Sequence, residues 1–163
     1  LISHLKSVLS TLALLAAIPA HAAQPAANAA TLEAVSGKVV CRTAGAIDGK
    51  SAELCVAQGM FAHDIYEVRV GDATAVKGID DATTTGISGT FNGQTVSLKC
   101  DPVLSAPDNL TDGQIEGFRF MKPSASREEL KQLAIRVNTV ETGRHCVARS
   151  NADDVFTVDV KFQ

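Results

Sequence analysis

The sequence predicts a mainly β, α+β domain: a small antiparallel sheet or partly open β-barrel with one amphipathic helix before the C-terminal hairpin. Three features carry that expectation. Asn92-Gly93 and Gly71-Asp72 each separate two strand-like runs by two residues, the spacing of a hairpin turn. The closing run, Val155 to Phe162, sets Phe156, Val158, Val160 and Phe162 on one side and Thr157, Asp159 and Lys161 on the other, as a sheet with one wet face requires. In one segment alone does the period lengthen. Ser126 with Glu129 makes a capping box, and Leu130, Leu133, Ala134 and Val137 fall on one stripe of a helix over about residues 127 to 138.

The chain opens on a segment of a different kind. One cation, Lys6, precedes an 11-residue apolar run from Val8 to Ile18, and Pro19-Ala20-His21-Ala22 supplies small residues before a cleavage point at Ala23. A membrane-spanning helix needs about 20 apolar residues. Residues 1 to 22 therefore read as a cleaved signal peptide, with no membrane association after cleavage. Residues 23 to 31 lack periodicity and bulk and read as a disordered lead-in, which leaves 32 to 163 as a single β-rich exported domain.

Within that domain, Lys38 to Arg42 reads as a strand and Ala44 to Lys50 as a Gly- and Asp-bearing loop. Residues 52 to 63 are ambiguous between strand and helical turn. Strands follow at Tyr66 to Val70, Ala73 to Lys77, Ile87 to Phe91 and Gln94 to Cys100. In the last of these Val96, Leu98 and Cys100 share the core face. Asp101 to Gly113 is rich in turn residues, and Ile115 to Met121 reads as a further strand. Beyond the helix, Arg144 to Arg149 and Val155 to Phe162 form the closing hairpin around Ser150 to Asp153. The helix is expected to cover the sheet. An oligonucleotide-binding-type barrel is one compatible architecture, although the helix stands in an unusual place in that strand order.

Without the signal, 141 residues remain and the formal net charge becomes −4, because only Lys6 is lost among charged residues. An acidic chain disfavours nucleic acid and anionic membranes as partners. Of the four histidines, only His63 and His145 lie in the mature part. All four cysteines, Cys41, Cys55, Cys100 and Cys146, remain there, and an exported chain with an even count points to disulfides. No pair has the close spacing of a zinc or thioredoxin-type site. Of three pairings, Cys41 with Cys55 and Cys100 with Cys146 is preferred, since the first closes a local loop and the second ties a central hairpin to the C-terminal one.

The sequence carries no complete cofactor or metal motif. Gly45 to Ser51 ends in Gly-Lys-Ser but has three residues between its glycines where a phosphate loop needs four. Asp108 to Gly113 begins like a calcium loop, yet Leu110 stands at the third ligand position and Arg119 at the twelfth. Asn109-Leu110-Thr111 is formally a glycosylation acceptor. Met60, His63 and Asp64 offer copper-type donors without a second cluster. His145 and Cys146 are strand neighbours and point to opposite faces, so they make no nucleophile and base pair. The acidic pairs Asp80-Asp81 and Asp153-Asp154 fall in expected turns.

One window stands out by charge. Between Arg119 and Arg149, seven cations face three carboxylates, which leaves the rest of the mature chain at −8. Arg127, Lys131, Arg136 and Arg144 are therefore the candidate interaction face, for a protein or an anionic envelope polymer. With no catalytic constellation visible, the expected function is an exported, non-catalytic binding or interaction protein of the bacterial envelope, periplasmic or secreted. A structural subunit or adhesin is the alternative. A small hydrolase or metal enzyme using His63 or His145 is a third.

Overall fold

A computed structural model describes residues 29 to 163, so the expected signal peptide and most of the lead-in lie outside the described residues. Among the described residues, nine strands form two sheets. Strands β2 (Val39–Ile47), β3 (Lys50–Ala57), β4 (Ile65–Val70) and β5 (Ala73–Ile79) make an antiparallel meander. The other sheet contains β1 (Ala30–Ala34), β6 (Ile87–Phe91), β7 (Gln94–Ser105), β8 (Val140–Ser150) and β9 (Asp153–Phe162), in the order β1-β9-β8-β7-β6. Every pairing is antiparallel except β1 with β9, which is parallel. The chain is thus mainly β with helices added, and the sheets do not close into a barrel.

Alternation assigns each face. Leu54, Val56, Tyr66, Val68 and Val70 of one sheet meet Val96, Leu98, Ala148, Phe156, Val158 and Val160 of the other in a single buried core. The two sheets also approach at both margins, where glycines make room. An added Cβ on Gly45 would lie 2.6 Å from the Val155 carbonyl oxygen, and one on Gly89 would lie 2.1 Å from that of Ala75. Glycine at such positions permits backbone to lie against backbone. Gly89→Ala is expected to cost about 1–3 kcal/mol, the usual range for overpacking. Gly117→Ala, whose Cβ would meet nothing within 4 Å, is the comparison expected to be near neutral. Urea midpoints of the two variants check this.

The two ends of the sandwich differ. At one end all four hairpin turns are two residues long: Asp48-Gly49, Gly71-Asp72, Asn92-Gly93 and Asn151-Ala152. Asp48, Gly49, Asn92 and Gly93 all have positive φ, which explains the residue types at these two turns. The Asp48 carboxylate accepts from the Gln94 side chain, so turns of both sheets meet there. The opposite end gathers every long connection among the described residues. These are Val35 to Lys38, Gln58 to Asp64, the short helix α1 (Asp80–Thr85), and everything between β7 and β8.

The β7–β8 pair runs on past the sandwich as a two-stranded arm, to the pairing of Ser105 with Val140. On it sit α2 (Asp112–Glu116), a 3₁₀ turn (Gly117–Phe120) and α3 (Arg127–Asn138). The helix over 127 to 138 is present with its Ser126–Glu129 capping box. It does not cover the sheet, however. Leu130 packs with Ile115 and Ala125 in a small cluster separate from the main core. The strand expected over Ile115 to Met121 is helical instead. Thr111 and Gln114 form a second capping box, which starts α2 just ahead of that segment.

Glu129 accepts from the Ser126 backbone N–H at 2.8 Å and from Lys122 at 3.0 Å. The Ser126 backbone bond, then Lys122 and the Ser126 hydroxyl, hold its carboxyl down at about 2, below the ordinary 4.5. A depressed folded-state pKa means that its contribution is present above 4.5 and is lost as pH falls through 2. The carboxyl carbon resonance of Glu129 is expected to titrate with a midpoint near 2. A midpoint above 4 would contradict the capping box.

Both disulfides join directly opposed residues of neighbouring strands. Cys41–Cys55 bridges β2 and β3 on the outer face, and Cys100–Cys146 bridges β7 and β8 inside the core. The preferred pairing is therefore the one present, and Cys100 points to the core as its alternation requires. Two disulfides fit an oxidising, extracytoplasmic compartment. Among the described residues, no helix is long and apolar enough to cross a membrane.

Candidate functional site

The loop end is built on the last inward-facing positions of both sheets. Along β4, Val70, Val68 and Tyr66 point to the core, and the next residue in that row is Asp64. On β5 the same row ends at Gly78, followed by Asp80, whose N–H donates to the Asp64 carbonyl at 3.0 Å. From the facing sheet comes Arg144, in the inward row of Cys146 and Ala148 and opposite Val160. Core alternation thus runs on until it meets charge.

Arg144 is only 5 % exposed. Its Nε and one terminal nitrogen donate to the two Glu141 carboxylate oxygens at 2.6 and 3.3 Å. Its other terminal nitrogen donates to the Asp80 carbonyl at 2.7 Å and to the hydroxyls of Thr83 and Thr84 at 3.3 and 3.1 Å. The guanidinium also lies 5.8 Å from the centre of the Tyr66 ring, within cation–π range. Burial opposes its charge, while the bonded Glu141 carboxylate outweighs that and raises its pKa. A guanidinium so occupied clamps α1 and β4 onto β8. Its Nε and both terminal nitrogens are all engaged within the protein.

Around this clamp the oxygens outnumber their partners. The Tyr66 side chain is fully buried, and among the described residues its hydroxyl has no hydrogen-bond partner. Burial pushes the phenol pKa up; Arg144 opposes this, while Asp64, Glu141 and Asp80 add to it. Gln58 Oε1 is the other buried side-chain oxygen without a partner among the described residues, and it stands at the start of the loop leading to Asp64. Asp64 accepts from the Gly59 N–H at 2.9 Å. Burial raises its pKa, against that hydrogen bond, and the neighbouring Asp80 charge adds to the rise.

On the rim, His63 Nδ1 is 2.8 Å from Asp80 Oδ1 and 3.8 Å from Asp81 Oδ2. The loop that carries His63 is held by the backbone at Gly59, where an added Cβ would lie 2.4 Å from the Ala62 carbonyl oxygen. The donors grouped from sequence as Met60, His63 and Asp64 are thus redistributed. Asp64 turns to Gly59, Met60 lies over the Gly37 turn, and the partners of His63 come from α1. Asp80-Asp81 are not a turn but the first residues of that helix. They follow a strand directly, and nothing in the sequence separates the two elements.

His145 sits elsewhere, on the outer face of the five-stranded sheet, with Nδ1 2.7 Å from Asp159. Covalent hydrolysis of the Ser–His or Cys–His type sets a hydroxyl or thiol beside its histidine. The partners of His63 and His145 are carboxylates, and all four cysteines are in disulfides.

The four cations expected to form an interaction face occupy different surroundings. Arg144 is buried and cannot belong to it. Arg127 pairs with Asp112, Arg119 with Glu116 and Lys122 with Glu129. Lys131 and Arg136 remain exposed on α3. Across the whole helical lobe, Ala106 to Thr139, five cations face five carboxylates. The excess seen in the sequence arose because the window began after Asp108, Asp112 and Glu116 and ended among the cations of β8.

What the loop end exposes instead is apolar. Phe61 is 99 % exposed and Met60 69 %, beside His63, while the arm and lobe expose Leu104, Phe120, Met121 and Val140. Comparison with known proteins finds no matching family model, no matching curated protein and no matching solved structure.

Proposed function

We propose that this protein is an exported, non-catalytic binding protein of the bacterial envelope, periplasmic or secreted, that engages a protein partner through the loop end of its sandwich. One observation supports this most directly. All long connections, and with them Phe61, Leu104 and Phe120, lie at the end opposite the four tight turns. A rigid scaffold that presents irregular segments at one end is how binding loops are held, and clustered exposed apolar residues mark interaction surfaces. A charge-balanced lobe favours a protein partner over an anionic polymer.

The test is site-specific photocrosslinking in the producing cell. Photoreactive residues at Phe61 and Leu104 are expected to give a discrete protein adduct, and the same residue at Asp72 or Asn92 is not. Charge reversal of Lys131 and Arg136 should leave the adduct unchanged. Equal adducts at both ends, or none at the loop end, would overturn the proposal.

A structural subunit or adhesin is the second reading. Its support is the open architecture, since β1, β6, β2 and β5 are edge strands of unclosed sheets. Concentration-dependent self-association in sedimentation would favour it. A monomer at every concentration would count against it.

A further inference from the structure

The loop end also brings together a set of side chains that the proposed protein partner does not use. His63 Nδ1, Asp80 Oδ1 and Asp81 Oδ2 come from two separate segments and lie within 4.8 Å of one another. The two distances from the imidazole, 2.8 and 3.8 Å, bracket the separation of about 3.3 Å between ligand atoms around a tetrahedral zinc ion. One nitrogen and two carboxylate oxygens suit a borderline divalent cation.

Three further observations point the same way. The first is charge. Asp80 and Asp81 share a single imidazole, Asp64 lies within electrostatic reach of Asp80, and Arg144, the cation that acts on Asp64, is already bound by the Glu141 carboxylate. The second is the pair of orphaned oxygens. Gln58 and Tyr66 flank this loop in sequence, and among the described residues Gln58 Oε1 and Tyr66 Oη are the buried side-chain polar atoms without partners. Tyr66 is fully buried and stands one inward step from Asp64 on the same row of β4, within electrostatic reach of Asp64 and Asp80. Such an end is rich in acceptors and short of positive charge. The third is preorganisation, since Gly59 and its bond to Asp64 fix the loop on which His63 rides. The other cluster of comparable donors, Cys41, Glu53 and Cys55, offers no thiolate because its cysteines are joined to each other.

We propose that His63, Asp80 and Asp81 bind one divalent transition-metal ion of the zinc class at the loop end of the sandwich, beside the exposed Phe61.

The chain from Ala23 onward, with its disulfides intact and stripped by chelator, is titrated with zinc by calorimetry. One saturable equivalent is expected, and the His63 ring resonances should move while those of His145 stay. His63→Ala and Asp81→Asn should each weaken binding by more than the roughly tenfold that even an outer-shell change costs. His145→Ala removes the other histidine–carboxylate pair and should change nothing. Circular dichroism confirms that the variants fold, which is expected because His63 and Asp81 are exposed. Absence of saturable binding would overturn the proposal, as would zinc affinity unchanged by His63→Ala or lost equally in His145→Ala. Tight calcium binding insensitive to His63→Ala would overturn it in favour of an oxygen-only site.

Discussion

Arg144→Ala is expected to lower the unfolding free energy by about 3 kcal/mol, near the lower end of what breaking a buried ion pair costs. The lower end applies because Glu141 keeps 31 % of its side chain exposed and can be rehydrated once its partner is gone. The larger share comes from the other contacts. Without the guanidinium, the Tyr66 ring loses its cation and a polar void opens between the last inward positions of the two sheets. Arg144→Lys keeps the charge but not the fork that holds Glu141, α1 and Tyr66 together, so it should fall between wild type and alanine. The double change Arg144→Met with Glu141→Gln removes both charges while retaining volume, and should recover much of the loss. Urea denaturation of the three variants measures the order. Equal stability of wild type and Arg144→Ala would mean that the clamp contributes nothing to holding the sheets together.

Loss of the Cys100–Cys146 bridge is expected to destabilise the fold more than loss of Cys41–Cys55. In the chain-entropy view, the closed loops of 46 and 14 residues correspond to about 4 and about 3 kcal/mol. Burial adds to the difference, since Cys100 and Cys146 are fully buried in the main core while the Cys41–Cys55 bridge lies on the outer face. Paired alanine substitutions avoid placing hydroxyls in the core. Their denaturant midpoints, with and without reductant, should show the core bridge as the costlier loss. The reverse order would place the stabilising closure in the four-stranded sheet.

Much of the sandwich was legible because its signals are local. A two-residue turn with positive φ dictates its own residue types, so Asn92-Gly93 and Gly71-Asp72 located two hairpins, and the alternation of Val155 to Phe162 identified β9 and its inner face. The helix over Arg127 to Asn138 was equally local, since a capping box lies within four residues. The β2–β3 hairpin was harder to see, although Asp48-Gly49 is as good a turn as Asn92-Gly93. The register shift between Thr43 and Gly45 breaks the alternation of β2, so its second half resembled a loop. Strand β1 begins at Ala30, in a stretch with no pattern of its own. It is ordered by parallel pairing with β9, where Leu32 and Ala34 become buried.

The loop-end site was out of reach for a stronger reason. Arg144 resembled every other cation of its window, and nothing in the order of residues says that its alternation in β8 turns it inward at the point where the core ends. The partners of His63 lie 17 and more residues away, on a helix that follows a strand without a break. By itself the sequence determined the class of fold, the faces of most strands, one helix with its cap, and the cysteine content that an exported chain can oxidise, because each of these is set by neighbours within one element. Tertiary structure alone decided that the sheets stay unclosed, that the helix rides on an arm instead of covering the core, that several cations of the basic window meet carboxylates from outside it, and that the long connections converge on one end. Those outcomes depend on which distant segments come into contact, and a residue's charge or periodicity carries no record of the partner it will meet.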